Sequence, residues 1–520
     1  MTDLRTTRLG DFLRLSAQRH PDRPCFVFAD GSSRTFAETN ARVNQLADAL
    51  HGHGVGRGDR VAILAVDSGE YMEVLLACMK LGATYVPLNN RLSDPEVLTL
   101  LRRAVPRALF VSSRYVPVAE RLRPELPSIT LLVSFDDDRL PRFGELLAEG
   151  ADAEPDVPVS DDDVLGLAFT SGTTGLPKGV LQPQRMIKSL WTTMSIDYEI
   201  VPDEFRYTAS PIFHIAGQGM IMMHVMRGFP SLILPWFEEA AVLRWMRSGE
   251  LTGCFLVPTM IDRLLAHPDV HAGSYSALRS IIYGGAPMSP TLLRRAMTTF
   301  GCDFINAFGA ATEGGLQSVL GSAEHRRALA GEEHLLGSIG RPSFGVDLRL
   351  VDTEDRDVPR GSVGEIITRG DAVMAGYLDM PEETARALRG GWFRAGDLAR
   401  MDDAGFLFLE GRSKDMIIRG GENIYPVEIE TVLARYSSVG QVAVIGRPDP
   451  HWGEVVVAYL TLLPGATFDE DALRTHCRAR LASYKIPVAF AVVPEFPVNA
   501  SGKILKRELR LRDAATAVAR

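Results

Sequence analysis

The run Thr170-Ser171-Gly172-Thr173-Thr174-Gly175-Leu176-Pro177-Lys178-Gly179-Val180 gathers the groups that bind a polyphosphate. Glycines let the backbone approach an anion and aim consecutive N–H groups at it, hydroxyls add donors, and Lys178 supplies a compact positive charge. The spacing is not that of a Walker A loop, where Lys directly follows Gly and precedes Ser or Thr. Here Pro177 precedes Lys178 and Gly179 follows it, which argues against a P-loop kinase or GTPase. The competing reading is a flexible Ser/Thr/Gly linker. Linkers seldom follow an apolar strand such as Val164-Leu165-Gly166-Leu167-Ala168-Phe169.

Other segments carry candidate chemistry. Asp397, after Gly396, is a carboxylate suited to accept hydrogen bonds from both ribose hydroxyls. Arg412 offers a planar fork for ribose or phosphate; its competing reading is a surface arginine. In Tyr283-Gly284-Gly285-Ala286-Pro287 the glycines permit close backbone approach. Only seven of the 56 basic residues are lysine. Arginine is the default cation, so a retained lysine marks a place where a compact, rotatable ammonium is needed.

These residues need a scaffold, and the apolar pattern supplies one. Strands at 60–64, 83–88 and 108–111 alternate with helices at 68–81 and 94–104, a βαβ succession that calls for a mostly parallel sheet covered on both faces. The pattern resumes after the glycine loop with helices near 183–195 and up to 267 and 300, and strands at 255–257, 280–283 and 303–308. The apolar region 217–237 is interrupted by His224, Arg227 and Pro230 and reads as a core helix followed by a strand. Beyond Gly337, short strands at 346–351, 364–369 and 405–409 with turn residues between them form an antiparallel region. Polar residues at 411–415 then precede a compact α+β unit. The expected fold is α/β, with a large N-terminal domain over 1–412 of parallel-rich βαβ subdomains plus a small antiparallel β region. A small mobile α+β C-terminal domain is expected over 413–520.

Composition narrows the class. A chain of 520 residues, 46% hydrophobic and 23% charged, supports a large core and at least two domains. A net charge of -9 gives no basic field for nucleic acid. Five scattered cysteines without a Cys-x-x-Cys pair read as reduced, mostly buried thiols of a cytoplasmic protein. No secretory signal or membrane span is expected.

The glycine loop occurs together with Phe308-Gly309-Ala310-Ala311-Thr312-Glu313, Trp392-Phe393-Arg394-Ala395-Gly396-Asp397, Gly411-Arg412-Ser413-Lys414-Asp415-Met416-Ile417 and Asn499-Ala500-Ser501-Gly502-Lys503-Ile504. In order and span this set resembles the acyl-adenylate-forming superfamily of acyl- and aryl-CoA synthetases, luciferases and adenylation domains. The resemblance implies that Lys178 and the loop residues Thr170, Ser171, Gly172, Thr173 and Thr174 hold the β- and γ-phosphates of ATP. It implies that Thr312 contacts the α-phosphate, that Glu313 helps hold Mg²⁺, and that Lys503 reaches the carboxylate and α-phosphate during adenylation. Thr312-Glu313 also reads as an ordinary helix-start pair. Lys414 resembles the hinge about which the small domain rotates, and Gly420-Gly421 the stretch lining the pantetheine channel of coenzyme A. His214, in Pro211-Ile212-Phe213-His214-Ile215-Ala216-Gly217, resembles the wall or gate of the acyl site, although a lone histidine beside apolar residues is also an ordinary core group. Gly284, Gly285, Ala286 and Pro287 resemble the loop lining acyl and adenine pockets.

Two departures stand out. Ala395 replaces the usual Thr before Gly-Asp, and one extra residue separates Phe308-Gly309 from Thr312-Glu313, so that Gly309 falls where an adenine-stacking aromatic normally sits. The implied activity is an ATP-dependent acyl-CoA ligase acting through acyl-AMP. Small residues at 284, 285, 286, 310 and 311 favour an apolar medium- or long-chain, or bulky alicyclic or aromatic, acid. An adenylating enzyme that delivers to a carrier-protein thiol or an amine is the alternative, and a catalytically silent nucleotide-binding protein is a third reading. A homodimer is a family-level expectation only.

Overall fold

The computed structural model describes residues 7–170, 177–286, 288–420, 422–463, 465–498 and 504–518. The chain divides into two compact units, Met1–Asp347 with Thr368–Phe393, and Leu348–Ile367 with Arg394–Arg520.

In the first unit, strand Arg60–Leu64 lies parallel between Thr84–Pro87 and Ala108–Val111, with Val61 opposite both Tyr85 and Ala108. Helices Gly69–Leu81 and Asp94–Ala104 make the crossovers. Almost every residue of these strands is buried, which is why they read as continuous apolar runs rather than alternating ones. The helix ends follow from local chemistry. Ser68 accepts the Tyr71 N–H at one helix start and Gly82 takes a left-handed φ of 68° at its end, while Ser93 and Glu96 form a capping box on the other helix.

The seven-stranded sheet runs in the order Gly376–Tyr377, Lys178–Pro183, Val164–Thr170, Thr84–Pro87, Arg60–Leu64, Ala108–Val111, Leu131–Ser134. Val164–Thr170 and Lys178–Pro183 are antiparallel, with Thr170 opposite Lys178. The phosphate-type loop is therefore the connection of a hairpin at the sheet's end.

A nine-stranded sheet carries the second half of the first unit. At its core Gly253–Leu256, Ser280–Gly284 and Asp303–Phe308 pair in parallel, and Ser318–Leu320 adds antiparallel to the last of them. Gly284 faces Ala307, and a Cβ at Gly284 would lie 2.4 Å from the Ala307 carbonyl oxygen. No other residue fits there.

The second unit holds a four-stranded sheet, in which Phe393–Met401 pairs antiparallel with Leu407–Arg412. A five-stranded sheet is built on the long pair Val439–Asp449 and Gly453–Leu462. Ile417, Ile429, Leu433, Val444, Val456 and Leu473 form a core of its own.

The α/β class, the antiparallel region and the α+β C-terminal part are as expected. Several boundaries differ by a residue or two, and two of the shifts have a clear local cause. The strand expected at 255–257 is Gly253–Leu256, because Val257 is the extended residue before Pro258, which opens helix Pro258–Ala266. The strand expected at 405–409 is Leu407–Arg412, because Gly405 makes a left-handed turn with φ 86°. Cys25, Cys78, Cys254 and Cys477 are buried thiols and Cys302 is half-buried. Among the described residues no helix is long and apolar enough to cross a membrane.

Candidate active site

Lys178 opens the returning strand of the glycine-loop hairpin, and Ser171, Gly172, Thr173 and Thr174 lie outside the described residues. Its Nζ stands 2.8 Å from Glu383 Oε2 and 4.8 Å from the centre of the Tyr377 ring. Tyr377 arrives on the short edge strand Gly376–Tyr377, opposite Val180. Burial pushes the Tyr377 phenol well above its usual range, and the charges of Glu313 and Glu383 add to the shift. Lys178 and Glu383 thus meet beside the Tyr377 ring, and the Glu313 charge acts on its phenol, a grouping of acid and base that sequence reasoning missed for Tyr377 and Glu383.

The hydrogen bond from Lys178 holds the Glu383 carboxyl below the ordinary value. Before a phosphate can take the ammonium, this pair must open. Glu383→Gln is expected to lower the KM for ATP about two- to five-fold, the scale of a partly exposed ion pair. A titration of initial rate against ATP checks it; a raised KM would mean that Glu383 positions Lys178.

Thr312 and Glu313 sit on a single helical turn, Ala311–Gly314. Their backbone is pinned from two sides: Gln182 Nε2 donates to the Thr312 carbonyl at 3.0 Å, and the Met374 N–H donates to that of Glu313 at 2.8 Å. The extra residue is absorbed ahead of this turn. Phe308 remains the last strand residue, its carbonyl accepting from the Gln317 N–H at 2.9 Å, and Ala310 O accepts from the N–H groups of Glu313 and Gly314. A Cβ at Gly309 would lie 2.5 Å from the Gly315 carbonyl oxygen, so the insertion closes tightly. A carboxylate on a turn that packs against the strand opened by Lys178 suits Mg²⁺, which is usually held by one or two carboxylates plus substrate phosphates.

His214 is the N-cap of helix Ile215–Arg227, its Nδ1 accepting the Ala216 N–H at 3.2 Å. Its side chain reaches solvent, yet surrounding protein desolvates it and lowers the imidazole pKa. At neutral pH it is the uncharged ring. Gly284 ends its strand, Gly285 takes φ 77° and Ala286 is half-buried; Pro287 lies outside the described residues.

Asp67 holds the approach to His214, its Oδ1 accepting the Ile212 N–H at 2.9 Å. It shares a pocket of about 370 Å³ with Arg91, Arg114, Tyr115, Tyr207 and Trp236. Burial pushes its carboxyl from 3.8 up to about 7 against the Ile212 hydrogen bond and the Arg91 charge. The folded chain therefore keeps a proton that the unfolded chain releases. This group's contribution to stability is full below 3.8 and is lost as pH rises through about 7. Asp67→Asn keeps the acceptor and removes the ionisation. Melting curves from about pH 4 to about pH 7 should fall by a few degrees less in the variant than in the parent; parallel curves would contradict the buried ionisation.

In the second unit Asp397 and Arg412 are cross-strand partners, Arg412 Nε donating to Asp397 Oδ1 at 2.8 Å, with Asp397 only 5% exposed. The two expected ribose contacts are thus one preformed pair. Lys414 is exposed on the 3-10 turn Ser413–Asp415, and the neighbouring Asp415 is tied to Arg510 at 2.8 Å. Gly421 and Lys503 lie outside the described residues, the latter just before Ile504, which bridges to Val498.

The family model described as AMP-binding enzyme matches residues 13–378, and that described as AMP-binding enzyme C-terminal domain matches 428–503. The chain belongs to the AMP-binding enzyme family. Relatives of this AMP-binding enzyme include a feruloyl-CoA synthase of Amycolatopsis sp, 38% identical over 93% of this chain and 94% of that one. A fatty acid–[acyl-carrier-protein] ligase of Streptomyces coeruleorubidus is 33% identical over 95% of this chain and 94% of its own. Among solved structures, the amide bond synthetase McbA from Marinactinospora thermotolerans superposes with a TM-score of 0.87 at 28% identity, covering 97% of this chain and 99% of that one. The enzyme is an AMP-forming ligase, and CoA ligases of the family use ATP, Mg²⁺ and coenzyme A.

Proposed function

We propose that this AMP-binding enzyme joins an apolar-bodied carboxylic acid, medium- or long-chain or bulky and aryl, to coenzyme A through an acyl-AMP intermediate. What supports the reading is the seating of the Thr312–Glu313 turn against the hairpin strand that Lys178 opens, through Gln182, with Tyr377 over the Lys178 ammonium. Two anions, carboxylate and triphosphate, must meet, so the chemistry is mainly positioning and charge neutralisation. Lys178 and the hairpin loop hold the β- and γ-phosphates, Thr312 meets the α-phosphate, and Glu313 would hold Mg²⁺, which offsets phosphate charge when bound. Asp397 accepts the ribose hydroxyls and Arg412 orients it. His214 walls the acyl site as a neutral ring, beside Gly284, Gly285 and Ala286.

Lys503 serves adenylation and is withdrawn for the thiol step, with 1–412 and 413–520 as the two functional domains and Lys414 as the hinge. Gly421 lines the approach of the pantetheine. The pocket holding Arg91, Arg114 and the exposed indole of Trp236 supports a CoA acceptor, because guanidinium forks and an aromatic face suit a phosphorylated nucleotide arm.

The test is acid-dependent AMP formation with coenzyme A, followed together with the thioester. Equal amounts of AMP and thioester are expected; AMP without thioester sinks the CoA assignment. Delivery to a carrier-protein thiol or an amine is the second reading, favoured by the acyl-carrier-protein ligase and amide synthetase among the similar proteins, and it predicts turnover when those acceptors replace coenzyme A.

A further inference from the structure

Gln218 is wholly buried, and neither its Oε1 nor its Nε2 has a hydrogen-bond partner among the described residues. Its own helix gives no reason for an amide there, since Met220, Ile221, Met222, Met223 and Val225 around it are all buried and apolar. An amide left unpaired in a core is destabilising. Its position is informative. The Gln218 N–H donates to the His214 carbonyl at 3.2 Å, which puts Gln218 one helical turn deeper than His214 and on the same face.

The helix packs against the turn Ala311–Gly314 that carries Thr312 and Glu313, against strand Arg206–Thr208, and against helix Gln184–Asp197. The last two elements each contribute another buried polar atom without a partner among the described residues, Thr208 Oγ1 and Trp191 Nε1. The indole nitrogen lies 3.6 Å from where a Cβ on Gly219 would sit, beside the same turn of the helix as Gln218.

We propose that Gln218 is a specificity residue that hydrogen-bonds an oxygen substituent on the body of the acid, so that an oxygenated aryl acid is preferred over a saturated fatty acid. This rests on the ligase reading and extends it. In this proposal the acid's carboxylate meets the Thr312 turn, against which the helix packs, and its body follows the helix towards Gln218. A primary amide is donor and acceptor at once, and a phenolic hydroxyl is its complement. A methylene chain leaves both amide atoms unpaired, and a site built to bond a hydroxyl discriminates strongly against the analogue without it.

The experiment compares 4-hydroxycinnamate with cinnamate by acid-dependent AMP formation in the full-length enzyme, its Gln218→Met variant and its Gln218→Glu variant. The parent should favour the hydroxylated acid by about ten-fold or more in kcat/KM. Gln218→Met should bring the ratio close to one by raising KM for 4-hydroxycinnamate, with the KM for ATP within roughly two-fold of the parent. Gln218→Glu, which keeps an acceptor, should retain part of the preference. Gln218→Met should also melt no lower than the parent, since it removes an unpaired amide. An unchanged ratio in Gln218→Met, no preference in the parent, or a melt lowered by several degrees overturns the proposal. Absence of AMP formation with every acid of a broad panel overturns the ligase reading instead, and this proposal with it.

Discussion

Lys503→Ala is expected to lower acid-dependent pyrophosphate formation by about 10²–10³-fold, the scale on which a single preorganised charge stabilises a transition state. Thioester formation from supplied acyl-AMP should stay within roughly two-fold of the parent. The asymmetry follows from charge. In the first half-reaction a carboxylate attacks an α-phosphate, and a cation near both offsets their repulsion. In the second, a thiol attacks an activated carbonyl and the negative charge leaves with AMP, so a cation placed for the first step has no equivalent task. The chain uses lysine sparingly, seven residues in 520, and Lys503 follows Ser501 and Gly502 in sequence. Parallel assays of pyrophosphate release and of thioester formation from synthetic acyl-AMP decide the matter. Equal loss in both would contradict the division of labour.

Glu313→Gln is expected to reduce overall turnover by about 10²-fold and to move the Mg²⁺ dependence to higher concentration. The variant should remain folded, because the turn that carries it is held by backbone groups: the Glu313 carbonyl accepts the Met374 N–H and the Thr312 carbonyl accepts Gln182. Gln keeps the shape and loses the charge. A Mg²⁺ titration at fixed ATP, with a melting curve as control, is the measurement. Loss of turnover with an unshifted Mg²⁺ dependence would assign Glu313 another role.

The legible parts of this protein were those in which local chemistry dictates local structure. The apolar runs at 60–64 and 108–111 had to be buried parallel strands. The glycine loop was readable because its donors and its cation lie in one short segment. The illegible parts depend on distant segments meeting. Glu383 reaches Lys178 across 205 residues, and only because Gly376–Tyr377 adds as an edge strand to the hairpin. Asp67 reaches Ile212 across 145. The pairing of Asp397 with Arg412 depends on the register of a bulged antiparallel pair. Gln218 left no signal in the sequence either, since a glutamine within an apolar helix becomes informative only when its amide proves to have no partner.

In the proposed reaction the carboxylate oxygen attacks the α-phosphorus of ATP. The most direct measurement is a turnover with a carboxylic acid labelled with heavy oxygen in both carboxyl positions, followed by mass spectrometry of the nucleotide product. AMP should carry a single heavy oxygen, with none in pyrophosphate. Heavy oxygen in orthophosphate or pyrophosphate, or unlabelled AMP, would contradict it.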